Sequence, residues 1–168
     1  MIIINDKKYK NIVKSILRDP NFKMTYNIEH HGISRMEHSL KVSYHAYKIA
    51  RKMGLDYEAV AKGGLLHDFY LEGDERSGTR RFLDTFTHPK KALITATKYF
   101  NLSEMEKNII VSHMFPIYLS FPKYKESVLV NLVDKVIGGY EMLKKVKYQT
   151  RYKFNLAFVL MIVFISSN

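Results

Sequence analysis

Gly63-Gly64-Leu65-Leu66-His67-Asp68 is the stretch from which the rest of the chain is best read. Asp56 is placed to cap a helix that ends in this stretch. Adjacent helical residues point about 100° apart. His67 and Asp68 can therefore serve one centre only where the helix end faces it. Two glycines just before the pair remove side chains, so neighbouring helices can come close. The carboxylate has two oxygens and can touch two ions at once. Taken alone, a His-Asp dipeptide has little specificity, and its meaning depends on what surrounds it.

Working outward, apolar residues recur mostly at helical spacing, and strand-like alternation is weak. Asp6 to Arg18 reads as a short amphipathic helix that stops near Asp19-Pro20. Asn21 to Gly32 is polar and irregular, ending in His30-His31-Gly32. Ser34-Arg35-Met36-Glu37 has the form of a capping box. It opens a helix with His38 in its first turn, which runs through Leu40, Tyr44, Tyr47 and Ala50 to a stop at Gly54. Phe69 to Thr87 is a long polar stretch, read as a loop or short helix of the kind that often covers a site. Thr87-His88-Pro89 opens the next helix, with Pro89 at its first position. Ser103 and Glu106 make a second capping box, ahead of a helix that carries His113. Met114 to Tyr124 is a loop with two prolines. Glu126 to Tyr148 is a long helix with Asp134 in its middle.

At 168 residues the chain suits one domain, spanning 1–168 with a core at roughly 25–148 and a tail at 149–168. It has no cysteine, which excludes disulfides, thiolate zinc sites and cysteine nucleophiles, and it fits a reducing cytoplasm. No secretion signal is readable at Met1 to Asp6, so the expected location is cytoplasmic. The formal net charge is +11, which favours anionic partners, although most of the lysines are scattered and read as solvated. No basic helix with interleaved aromatics points to nucleic acid. Leu156 to Ile165 is an unbroken apolar run behind the basic stretch Lys144 to Lys153. It is shorter than the roughly 20 residues of a membrane span. It reads as a buried terminal helix, with an interfacial anchor on acidic lipid as the other reading.

The chain has seven histidines. His38, His67-Asp68, His88, His113 and Asp134 each fall on, or at the end of, a different expected helix. A bundle can aim such residues at one centre. Imidazole and carboxylate suit iron, manganese, zinc and nickel. Asp134 lies among Val130, Val133 and Ile137, where an unpaired carboxylate would be costly and a metal would remove the cost. His45, two turns after His38, reads as structural.

The order His, His-Asp, His, His, Asp resembles the HD superfamily of metal-dependent phosphohydrolases. The resemblance rests on Glu37-His38-Ser39, Gly64-Leu65-Leu66-His67-Asp68, Thr87-His88-Pro89, Ser112-His113-Met114 and Val133-Asp134-Lys135, over roughly residues 25 to 142. It is nearest the small stand-alone members. It implies an all-α HD-domain helical bundle with a metal site between the helices. By the same resemblance His38, His67, Asp68 and Asp134 match the ligands common to HD sites. His88 and His113 match the extra pair of two-metal members, with Asp68 bridging. Two divalent transition-metal ions are then expected, iron or manganese favoured. At about 3.5–4 Å apart they would generate a hydroxide that attacks phosphorus. Asp68 is thus the expected catalytic residue. His30, His31, Arg35 and Lys135 are the candidates for binding a small phosphorylated substrate, a nucleotide by expectation; each also reads as an ordinary polar residue. The motif after the pair is Phe69-Tyr70-Leu71, and the added signatures of the cyclic-dinucleotide, alarmone and diadenosine-polyphosphate branches are absent. The same ligand set also serves di-iron oxygenases of the superfamily, and a non-catalytic nucleotide-binding HD domain is the third reading.

Overall fold

The structure is a computed structural model that describes residues 4–30, 33–71 and 79–166, with side chains at 4–28, 33–71 and 86–150. Among the described residues seven helices carry the fold: α1 Lys7–Arg18, α2 Pro20–Met24, α3 Arg35–Met53, α4 Tyr57–Leu66, α5 Thr79–Tyr99, α6 Glu104–Ser112 and α7 Lys125–Ser166. A 3-10 turn at Thr25–Asn27 and a two-stranded antiparallel hairpin, β1 Glu29–His30 and β2 Ile33–Ser34, link α2 to α3. The fold is all-α, as the sequence leads one to expect.

Most helix starts follow local capping chemistry. Asp6, Asp19, Ser34 and Asp56 each accept a hydrogen bond from a first-turn amide of the helix they precede. Ser103 and Glu106 form the complete reciprocal box. Gly54, at φ 68°, ends α3 in the left-handed conformation that glycine adopts without penalty.

Three expectations are corrected. Asn21 to Gly32 is not irregular: Asp19 and Pro20, as cap and first residue, start α2, and the strands pair Glu29 with Ser34 and His30 with Ile33. The helix with His88 begins at Thr79, not at Pro89, so Pro89 sits inside α5. Proline removes one backbone donor and crowds the preceding turn. Here the helix continues through that defect, consistent with the helical spacing of Phe82, Leu83 and Phe86. The covering loop expected from Phe69 is thereby shortened, and its 72–78 portion lies outside the described residues. Finally, α7 does not stop at Tyr148 but runs on through the tail as one helix of 42 residues. A run of Lys, Arg, Tyr and Gln contains no glycine or proline, so a change of composition is not a stop signal. How the tail's side chains are covered lies outside the described residues. Among the described residues, no helix is long and apolar enough to cross a membrane.

The core positions the site. α3 packs chiefly on α4, and α4 in turn on α6 and α7. One apolar cluster gathers Tyr9, Val13, Phe22, Tyr47, Leu65, Leu66, Phe69 and Ile110. A second, around Val42, Ala46, Val60, Ile109, Val130 and Val133, lies between α3, α4, α6 and α7. The glycine pair permits this packing. A Cβ on Gly63 would fall 2.8–3.0 Å from three atoms of the Ile109 side chain. One on Gly64 would fall 3.2 Å from the Ser43 Cα. Both helices therefore approach α4 closely at the turn just before His67.

Candidate metal centre

Five segments that are distant in sequence bring ionisable side chains to one buried point. His38 stands in the first turn of α3, His67 caps the C-terminus of α4 with Asp68 next to it, and His113 caps the C-terminus of α6. His88 comes from α5 and Asp134 from α7. All six are buried. Their ligand atoms fall into three overlapping groups: His38 with His67 and Asp68, His67 with His113 and Asp134, and Asp68 with His88 and His113.

Three of the rings are oriented by their Nδ1 atoms. His67 Nδ1 donates to the Gly64 carbonyl at 2.8 Å, and His113 Nδ1 to the Ile110 carbonyl at 2.7 Å. Each ring bonds the carbonyl three residues back, which would otherwise be left over at a helix end. His38 Nδ1 lies 2.8 Å from Glu141 Oε2. A carbonyl or an ionised carboxylate can only accept, so in all three rings Nδ1 carries a proton and Nε2 turns to the centre.

At the centre, Asp134 Oδ1 is 3.0 Å from His38 Nε2 and 3.4 Å from His67 Nε2. Asp68 Oδ1 is 3.4 Å from both His88 Nε2 and His113 Nε2, while its Oδ2 faces His67 Nε2 at 3.7 Å. His88 Nε2 and His113 Nε2 are 3.0 Å apart. Two nitrogens that share an ion at about 2.1 Å, at right angles, would be about 3.0 Å apart. The separations fit ligands placed around a common ion. His67 Nε2 is fully buried and makes no hydrogen bond. That is a costly state for a polar atom unless a metal takes its lone pair. The donor set of imidazoles and carboxylates suits divalent transition metals.

The electrostatics fit the same reading. Burial opposes charge on His38, but hydrogen bonds to Asp134 and Glu141 outweigh it and raise its pKa to about 10. Burial opposes charge on His67 too, and Asp68 and Asp134 raise its pKa in spite of that. Asp134 is pushed up by burial, yet the hydrogen bond with His38 and the nearby His67 ring, 3.4 Å away, hold it well below the usual carboxylate range. In the metal-free protein the carboxylates are thus balanced by protons on the histidines. Those protons must leave when a cation binds.

The remaining sequence candidates are placed as follows. Arg35 is buried at the start of α3. Its Nη1 donates to the Tyr70 carbonyl at 2.6 Å and its guanidinium lies 3.6 Å from the centre of the Tyr70 ring. Tyr70 in turn lies 5.8 Å, ring to ring, from His88. Lys135 Nζ donates to the carbonyls of His113 and Phe115 and to Asn131 Oδ1, at 3.2, 2.8 and 2.7 Å. The His30 backbone belongs to the hairpin, and its side chain, like all of His31, lies outside the described residues. His45 is exposed on α3 and outside the cluster.

Two residues that the sequence reading missed belong to the surroundings of the site. Glu141 holds His38, as above. Asn131 Nδ2 donates to the carbonyls of Ser112, His113 and Phe115, and so ties the turn after His113 to α7. Glu141 lies seven residues after Asp134, on the same face two turns along, and that spacing was the available signal.

No curated protein and no solved structure matches the chain. A family model, described as the HD domain, matches residues 35–139. Members of that family bind divalent metals at a buried His/Asp centre of the kind seen here. The match takes in more than half of the chain and all six cluster residues, and the protein accordingly belongs to the HD domain family.

Proposed function

We propose that this protein is a metal-dependent phosphohydrolase that cleaves a phosphate ester or anhydride of a nucleotide. The observation that carries the reading is the set of three rings tied through Nδ1, whose Nε2 atoms converge with His88 on two buried carboxylates. His38, His67, Asp134 and one oxygen of Asp68 would hold one divalent ion. His88, His113 and the other oxygen of Asp68 would hold a second. Bound there, such ions supply Lewis acidity, which acidifies water and neutralises charge developing on a phosphoryl group. Asp68 shares its two oxygens between the halves, so its removal should disable both. Arg35, which stacks on Tyr70 beside His88, and Lys135, next to Asp134 in sequence, are assigned to the anionic group of the substrate. His30 and His31 are assigned to the substrate from their place in the sequence just before α3. The net charge of +11 supports an anionic substrate.

The test is metal content of the purified protein, together with phosphate release from a panel of nucleotides and phosphate esters under Mn2+ and Fe2+. Two ions per chain, and metal-dependent release abolished by Asp68→Ala, are expected. No bound metal, or unchanged metal content in Asp68→Ala, refutes the reading. Two irons with O2 consumption and no hydrolysis replaces it with an oxygenase.

A further inference from the structure

Glu141 is an acid that the metal centre does not obviously need. It lies two residues beyond the stretch matched by the HD domain model, on α7. It is only 6% exposed, and its two oxygens have separate partners. Oε2 meets His38 Nδ1 at 2.8 Å, and Oε1 meets Lys41 Nζ at 2.9 Å. Lys41 stands one turn after His38 on α3 and lies 3.5 Å from Glu37 as well. A chain of Lys41, Glu141, His38 and Asp134 thus runs from the surface to the centre.

The bland alternative is an ion pair that pins α7 to α3. Geometry argues for more. His67 and His113 are oriented by neutral peptide carbonyls within their own helices. His38 is oriented by a full carboxylate from a helix 103 residues away. A charged acceptor makes a stronger hydrogen bond than a carbonyl, and it raises the basicity of the opposite ring nitrogen. Lys41 donates to that carboxylate and fixes the direction of its second oxygen.

We propose that Glu141, held by Lys41, is a positioning residue that fixes the tautomer and ring orientation of His38 and makes the half of the centre containing His38 the tighter one for a divalent cation. The inference rests on the metal-centre reading above. Removing such a partner typically weakens metal affinity about 10- to 100-fold.

The experiment is a Co2+ titration of the full-length protein, followed by the visible absorption of the bound ion, for the wild type, Glu141→Gln and Glu141→Leu. Gln keeps an acceptor oxygen for His38 but loses the charge. Leu loses both. The expected order of affinity for the tighter ion is wild type, then Gln about 10-fold weaker, then Leu about 100-fold weaker. The second ion should bind within twofold of wild type in all three. The Gln variant should keep the metal-free melting temperature, which separates tuning from folding. Two ions bound with wild-type affinity in both variants overturns the inference alone. Equal weakening of both ions, with a lowered melting temperature in both variants, also overturns it, in favour of a purely structural pair. A wild-type chain that takes up no Co2+ overturns the metal-centre reading and this inference together.

Discussion

Adding one methyl group at Gly63 should disturb the centre from a distance. In Gly63→Ala the new Cβ would stand 2.8, 2.9 and 3.0 Å from Cγ2, Cβ and Cδ1 of Ile109. Ordinary contact begins near 3.4 Å, so α4 and α6 must part by several tenths of an ångström, or Ile109 must leave its rotamer. Ile109 is fully buried. Overpacking of this kind costs about 1–3 kcal/mol. Alanine recovers about 0.5–1 kcal/mol of helix propensity over glycine. The net loss should be about 1–2 kcal/mol, or about 2–8 °C in melting temperature for a domain of this size. Ile109 lies one turn before His113, so the same displacement should weaken metal binding at the half containing His88 and His113. The assay is urea and thermal unfolding of the metal-free protein in a double-mutant cycle with Ile109→Ala. In that background the new methyl enters a cavity, and Gly63→Ala should be neutral or stabilising, a coupling of at least about 1 kcal/mol. Gly63→Ala with wild-type stability, or with the same loss in both backgrounds, would refute the reasoning.

Three further outcomes follow from the described geometry. His38, with its pKa raised to about 10 in the metal-free protein, should lose a proton when a cation binds at pH 7, so affinity for Mn2+ should rise about tenfold per pH unit; calorimetry in buffers of unlike ionisation enthalpy that detects no proton release would contradict this. The same raised pKa supports the metal-free fold fully below about pH 6.5, and that support fades as pH climbs towards about 10, so its melting temperature should fall across that window. Asn131→Ala leaves three carbonyls of the turn after His113 without their shared donor and should cost about 1–3 kcal/mol in urea unfolding, with weaker binding of the ion held by His113; an unchanged urea midpoint would argue against that role.

What could be read without coordinates was whatever local chemistry or a shared residue order determines. Asp6, Ser34, Asp56 and Ser103 were legible as helix starts because a cap bonds amides two or three residues away, whereas Asp19 was read as the stop of α1 and not as the start of α2. The glycine pair was legible as a close approach because a missing side chain has few other uses in a helix. The six residues of the cluster were legible as a set because they came from five different expected helices. Glu141 was not, since the ring it holds is 103 residues away and the only signal near position 141 was its seven-residue spacing from Asp134. The start of α5 was misplaced because Pro89 is a common first residue and only sometimes an interior one. The length of α7 was missed because a change from mixed to basic composition alters solvation and not backbone preference.

His67 and His113 each close the helix they end. This gives the ligands unequal fates under mutational drift. Replacing either ring removes a donor to a helix-end carbonyl along with a ligand, so loss of metal and loss of stability arrive in one step. Asp134 is the reverse case: without an ion it is a buried charge that His38 and His67 must neutralise with protons, and an amide in its place would relieve that demand. A lineage relaxing its need for the metal would therefore find position 134 the cheapest to surrender and positions 67 and 113 the last. A relative that keeps both histidines after losing the acid would not, on that ground alone, be an active one.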